Sequence, residues 1–180
     1  MAIRQYRGYA FPDHLLGTVE PAVYFRWLFG KAASMVRRDK KRGNTVATPG
    51  TYRDAIHQAV VASGGCDHYT GEQLDWSLIG KYDNEESKAR GRAYKKELAA
   101  LPTLDHVDEG RGAPNFVICS WRTNDGKHDL DHDEFVTLCH KVLEHRGYEV
   151  RAPATAVVIA DALQAISCSL QCNTQGATPQ

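Results

Sequence analysis

The chain has 180 residues, of which 42% are hydrophobic and 24% charged, a composition that fits one ordinary globular domain able to bury its own core. Twenty-two basic residues balance twenty-two acidic ones, so net charge gives no support for a nucleic-acid or membrane partner, and any such partner must be argued from where the charges sit. The five cysteines, Cys66, Cys119, Cys139, Cys168 and Cys172, are odd in number and no two have just two residues between them; a disulfide framework and a four-cysteine zinc site are not indicated, and free, buried thiols are expected.

The stretch from Met1 to Arg7 has no apolar run after its basic residues and no serine-rich transit pattern, so a cytoplasmic protein is expected. From Glu20 to Arg42, Val23, Phe25, Trp27, Leu28, Ala32, Met35 and Val36 recur at helical spacing, with Pro21 in the first turn and Gly43 as the stop. Tyr24 and Trp27 read as core. The C-terminal half of this helix carries Lys31, Arg37, Arg38, Lys40, Lys41 and Arg42 against the single Asp39, which suits the negative end of the helix dipole. Thr48-Pro49-Gly50 opens a second helix that Gly64-Gly65 ends. The tight segment Cys66 to Leu74 follows. Asn84 reads as the N-cap of a polar, basic helix containing Lys88, Arg90, Arg92, Lys95 and Lys96, closed by Pro102.

Thr103 to Val107 and Phe116 to Trp121 are short runs of strand-forming residues joined by a loop that includes 108–114, the signature of a hairpin. A helical stripe runs from Asp131 to Arg146, with acidic residues suited to its first turn. The apolar stretch from Ala152 to Leu170 is interrupted by Pro153, Asp161 and Gln164, so it is a poor membrane span and reads as a buried or docking helix. It fits either its own domain or a second copy of the chain, so a homodimer is among the assemblies expected. Residues 173–180 are polar with Gly and Pro and read as disordered. The fold expected is α+β, a mainly helical single domain around one ββα hairpin. It divides into an N-terminal helical region, 1–65, a core from 66 to 150, and a C-terminal helix and tail, 151–180.

Four Asp-His pairs occur, at Asp13-His14, Asp67-His68, Asp105-His106 and Asp131-His132. Such a pair arises by chance, but Asp105-His106 alone lies in a hairpin with asparagines ten and nineteen residues after Asp105, at Asn115 and Asn124. Consecutive strand residues point to opposite faces, so Asp105 and His106 can serve different partners. Hydrolysis of a phosphodiester needs a hard cation, a base for water and a group that aims the base. Asp105 and the Asn124 carbonyl are oxygen ligands of the kind Mg²⁺ prefers. His106 suits the base, and Asn115 can accept its other ring N–H.

Asp105-His106, then Asn115, then Asn124 with Gly126-Lys127 resembles the motif of the HNH, or ββα-metal, endonucleases. The resemblance covers about residues 66–128, and Cys66 with Thr70-Gly71 is similar to the cysteine-containing turn ahead of many such sites. It implies that Asp105 and Asn124 hold one Mg²⁺ or Mn²⁺, that His106 is the general base and that Asn115 orients it. It also implies hydrolysis of DNA to a 3′-hydroxyl and a 5′-phosphate. The partner cysteines of that turn are replaced by Ser120 and Thr123, so a structural zinc is not expected. His128, four residues after Asn124, is a further candidate metal ligand.

Arg37, Arg38, Lys40, Lys41 and Arg42, with Lys95, Lys96 and Lys127, are the candidate contacts to DNA phosphates, duplex DNA being the partner expected. Two other functions use the same residues: a nucleic-acid-binding module without turnover, and a ribonuclease or toxin.

Overall fold

The computed structural model describes residues 5–108 and 110–151. Its elements, in chain order, are β1 (Gln5–Tyr6), β2 (Tyr9–Ala10), α1 (Pro21–Lys41), α2 (Pro49–Ser63), α3 (Asn84–Arg90), α4 (Arg92–Glu97), β3 (Pro102–His106), β4 (Phe116–Ser120), α5 (Trp121–Lys127) and α6 (His132–His145). Helices and two small antiparallel sheets make this a mixed α and β structure. The chain separates into two units, 1–132 and 133–180. The expected helix over 152–170, the polar tail, Cys168 and Cys172 lie outside the described residues.

Helix α1 begins at Pro21, whose missing N–H is no loss in a first turn, and buries Tyr24, Phe25, Trp27, Leu28, Ala32, Met35 and Val36. The same stripe continues to Asp39, which is 1% exposed although it stands in the basic run. Helix α2 is capped by Thr48, whose hydroxyl accepts from Thr51 N at 3.2 Å, and ends at Gly64 in the left-handed conformation. Tyr52, Ile56 and Val60, all fully buried, form its inner face against α1 and β4.

The basic helix expected after residue 84 is broken in two. Gly91, at φ 50° and ψ −118°, takes a conformation that a side chain would resist and separates α3 from α4. The cap is Asp83 rather than Asn84: its carboxylate accepts from Glu85 N and Glu86 N at 2.8 and 2.9 Å. Pro102 opens β3 instead of closing a helix.

Strands β3 and β4 pair antiparallel, Leu104 opposite Ile118 and His106 opposite Phe116. Leu104, Phe116 and Ile118 point into the main core, so the alternation of a strand sends Asp105 and Cys119 to the other face. Ser120 ends β4 and caps α5 at once, accepting from Thr123 N at 2.9 Å, so the chain passes from strand to helix without a loop. Helix α5 packs back on β3. Of the described cysteines, Cys119 is buried, Cys66 partly buried and Cys139 exposed, so the expectation of buried thiols holds for Cys119 and fails for Cys139. Among the described residues no helix is long and apolar enough to cross a membrane.

The segment Cys66 to Gln73 closes as a small knuckle, with Asp67 N donating to Glu72 O and Gly71 N to Asp67 O, at 2.8 and 2.9 Å. His68 N donates to Ile118 O at 2.9 Å and fastens the knuckle to β4. Asp67 completes the attachment. One carboxylate oxygen accepts from Tyr69 N and Thr70 N; the other accepts from Ser120 N at 2.8 Å and from the Thr123 hydroxyl at 2.7 Å. Ser120 and Thr123, the positions that lack the zinc-binding cysteines, are therefore joined through a carboxylate.

Candidate active site

The two faces of β3 give Asp105 and His106 separate environments. Asp105, 8% exposed, turns toward α5 and the knuckle. Its Oδ2 accepts from the Tyr69 hydroxyl at 2.6 Å and lies 3.1 Å from the Lys127 ammonium. Lys127 is buried, so its charge is spent on Asp105 rather than offered at the surface. Burial, and then the Asp105 carboxylate at the hydroxyl, push the Tyr69 phenol up, and Tyr69 stays a neutral donor.

His106 turns the opposite way, toward α1. Its Nε2 is 2.8 Å from Asp39 Oδ2, and its Nδ1 is 2.6 Å from Arg38 Nη2. The Phe116 ring meets the imidazole edge to face, with centroids 4.8 Å apart. Asp39 also accepts from the Tyr52 hydroxyl at 2.7 Å and from Arg38 Nε at 3.3 Å. Burial alone would raise the Asp39 carboxyl, but the bonds from Tyr52, His106 and Arg38 outweigh it and hold the group below the usual carboxylate value.

The loop between β3 and β4 covers this cluster. Gly110, at φ 68°, lies so close that a Cβ there would come within 2.8 Å of the His106 ring. Only glycine meets both conditions. Asn44 holds the loop down: its amide donates to Gly110 O and Gly112 O at 2.7 and 2.9 Å, while its carbonyl accepts from Val46 N and Ala47 N.

Asn115 opens the approach to β4 with an exposed side chain, and its backbone carbonyl accepts from Val107 N at 3.1 Å. Asn124 is half-buried on α5 and donates to Leu104 O at 3.4 Å, beside the strand that carries Asp105. His128 leaves the helix, with φ 55°, and pairs in solvent with Asp129 at 2.9 Å. Helix α5 ends one residue too early for His128 to share a face with Asn124. Of the basic residues, Arg37, Lys40, Lys41 and Arg42 are exposed at the end of α1, and Arg38 links that run to His106.

The second basic run is partly neutralised: Lys88 pairs with Glu85, Arg90 with Glu86 and Glu97, and Lys95 with Asp125. Lys96 is exposed on the rim of an open cleft of about 550 Å³, lined also by Arg92, Trp121 and Arg122.

A carboxylate and an amide carbonyl are the small oxygen set with which Mg²⁺ is commonly held, waters and a substrate phosphate supplying the rest. Asp105 and Asn124 are donors of that chemical type, with Asp105 Oδ2 already engaged by Tyr69 and Lys127. Among the described residues no group of three or more His, Cys, Asp or Glu side chains comes together.

Asp39, Tyr69 and Asn44 are contacts that spacing within 103–128 does not disclose. The signal for Asp39 was present in α1, where 28, 32, 35, 36 and 39 form one inward stripe and an acid falls on its last position. Compared with models of known families, with curated proteins and with solved structures, the chain matches none.

Proposed function

We infer that the protein is a divalent-metal-dependent endonuclease that hydrolyses DNA by an HNH mechanism. The observation that carries the reading is the strand-to-helix unit 102–127, which sets Asp105 facing α5 with Asn124 and Lys127 while the adjacent His106 faces the basic end of α1. The β3–β4 hairpin and α5 correspond, on this reading, to the ββα-metal element. Asp105 and Asn124 hold one Mg²⁺ or Mn²⁺, which when bound neutralises charge on the phosphate and on the departing oxygen.

His106 takes the proton from water. The exposed cations at the end of α1, with Arg38 beside the base, engage the backbone phosphates, and such contacts bind without dictating sequence. Burial of the whole cluster under Gly110 limits the ring to one orientation, which is what a base that must meet a particular water requires. Lys127 offsets the charge of Asp105 before a cation arrives, since an unpaired buried carboxylate would be costly.

That same pair favours a second reading. An ammonium already 3.1 Å from Asp105 satisfies the carboxylate without metal, as in a nucleic-acid-binding module that keeps the fold and has lost turnover. Incubation of the protein with plasmid, linear duplex, single-stranded DNA and RNA, in Mg²⁺, Mn²⁺ or excess EDTA, separates the readings. Metal-dependent nicking of plasmid supports the endonuclease. Salt-sensitive binding with no cleavage supports the module, and cleavage of RNA alone moves the substrate to RNA.

A further inference from the structure

We propose that Asp39, from α1, is the positioning residue for His106: it accepts the Nε2 proton, fixes the ring as the Nε2–H tautomer and leaves Nδ1 as the basic nitrogen. The inference rests on the endonuclease reading and gives Asp39 the task that the motif assigns to Asn115.

The contact that selects the tautomer is the one to Asp39. Arg38 Nη2 lies 2.6 Å from Nδ1 and 3.4 Å from Nε2, off the Nδ1 lone-pair axis, so it does not itself choose between the two nitrogens. An ionised carboxylate only accepts, so the neutral ring puts its proton on Nε2, which lies 2.8 Å from Asp39 Oδ2. The carboxylate is held in turn by the Tyr52 hydroxyl at Oδ2 and, in the free protein, by Arg38 Nε at Oδ1. Gly110 presses on the ring from the loop and Phe116 from β4. Asn115, by contrast, is exposed, and the bond it makes to the strand comes from its backbone carbonyl.

The arrangement also explains why Arg38 differs from the rest of its run. It lies against the imidazole in the free protein, and an arriving phosphate competes for its guanidinium while Tyr52 keeps its hold on Asp39 Oδ2. In the reaction, one proton passes from water to Nδ1 as the water oxygen bonds to phosphorus and the bond from phosphorus to the 3′ oxygen breaks. The departing oxygen takes its proton from solvent. Asp39 keeps its charge throughout and faces the imidazolium that forms.

The test combines single-turnover plasmid cleavage in Mg²⁺ with ¹⁵N spectra of histidine-labelled full-length protein, for wild type, Asp39→Asn and Gly110→Ala, each checked by thermal unfolding. The second variant leaves the carboxylate intact and pushes the ring off it, so a folding failure of Asp39→Asn does not remove the test. The wild type is expected to show a pyrrole-type Nε2 and a pyridine-type Nδ1 for His106. Both variants are expected to show a mixture, with the rate constant down roughly 10- to 100-fold and the apparent KM within about threefold. An unchanged tautomer and rate in the variants overturns the positioning role. So does a wild-type ring that carries its proton on Nδ1 while cleavage still requires His106. The expected tautomer in a protein that cuts no DNA overturns the endonuclease reading, and the catalytic role of Asp39 falls with it for that distinguishable reason.

Discussion

Asp67 and Asp39 are both nearly inaccessible carboxylates, 2% and 1% exposed, and burial opposes the charge on each. Both are held below the ordinary carboxylate value by hydrogen bonds that outweigh the burial. They differ in what donates. Asp67 collects hydroxyl and backbone N–H groups from Ser120, Thr123, Tyr69 and Thr70, none of which titrates near neutrality, and it ties the knuckle to β4 and α5. Asp39 collects an imidazole, a guanidinium and a phenol. The first is an anchor made of groups that never change state. The second is made of groups that carry or exchange charge, and on the proposed function they are the base and a phosphate contact. Two buried acids with the same direction of shift are thus told apart by their donors rather than by their burial.

The largest expected effect on stability comes from Asp67→Ala, which strands Ser120 N and the Thr123 hydroxyl and releases the knuckle. A loss of about 3 kcal/mol in denaturant unfolding is expected, with the His106 tautomer unchanged. A loss under about 1 kcal/mol, or a changed His106 spectrum, breaks the distinction between the two carboxylates. Acid provides a second comparison. Both folded values are depressed relative to about 3.9 in the unfolded chain, so both contributions are fully present above that value and are lost as pH falls toward and through the folded values. Thermal unfolding between pH 6 and pH 2.5 should therefore decline steeply below about pH 4. Asp67→Asn should be less stable at pH 7 and flatter in acid; a slope equal to wild type would remove Asp67 from the account. Smaller still is the effect of Lys40→Ala or Lys41→Ala. Each should reduce the salt slope of DNA binding by about 0.9 per lost phosphate contact and leave unfolding within about 0.5 kcal/mol. An unchanged slope would place DNA elsewhere than the end of α1.

Much of this architecture is legible in local sequence. The helix from Pro21, the helix from Pro49 and the hairpin follow from spacing, caps and β-branched runs, because those signals act over a few residues. Gly91 hides a break inside a run whose charges read as one helix, since a single glycine is compatible with either outcome until its φ is known. The adjacent Asp105 and His106 are legible as a pair serving two faces. Their partners are not, because Tyr69 is 36 positions from Asp105 and Asp39 is 67 from His106. Such pairs are made by packing α1 and the knuckle against the hairpin; short-range pattern turns Asp39 inward on its helix but does not name what it meets. His128 illustrates the reverse case: helical spacing would put it beside Asn124, but α5 stops at Lys127 and its ring points to solvent.

The most direct test is nicking of supercoiled plasmid by wild type and His106→Ala, purified alike and matched by thermal unfolding, in Mg²⁺ and in excess EDTA. The account predicts metal-dependent nicking by the wild type and a rate at least about a hundredfold lower for the variant. Equal nicking by the two proteins, or nicking that persists in EDTA, would contradict it.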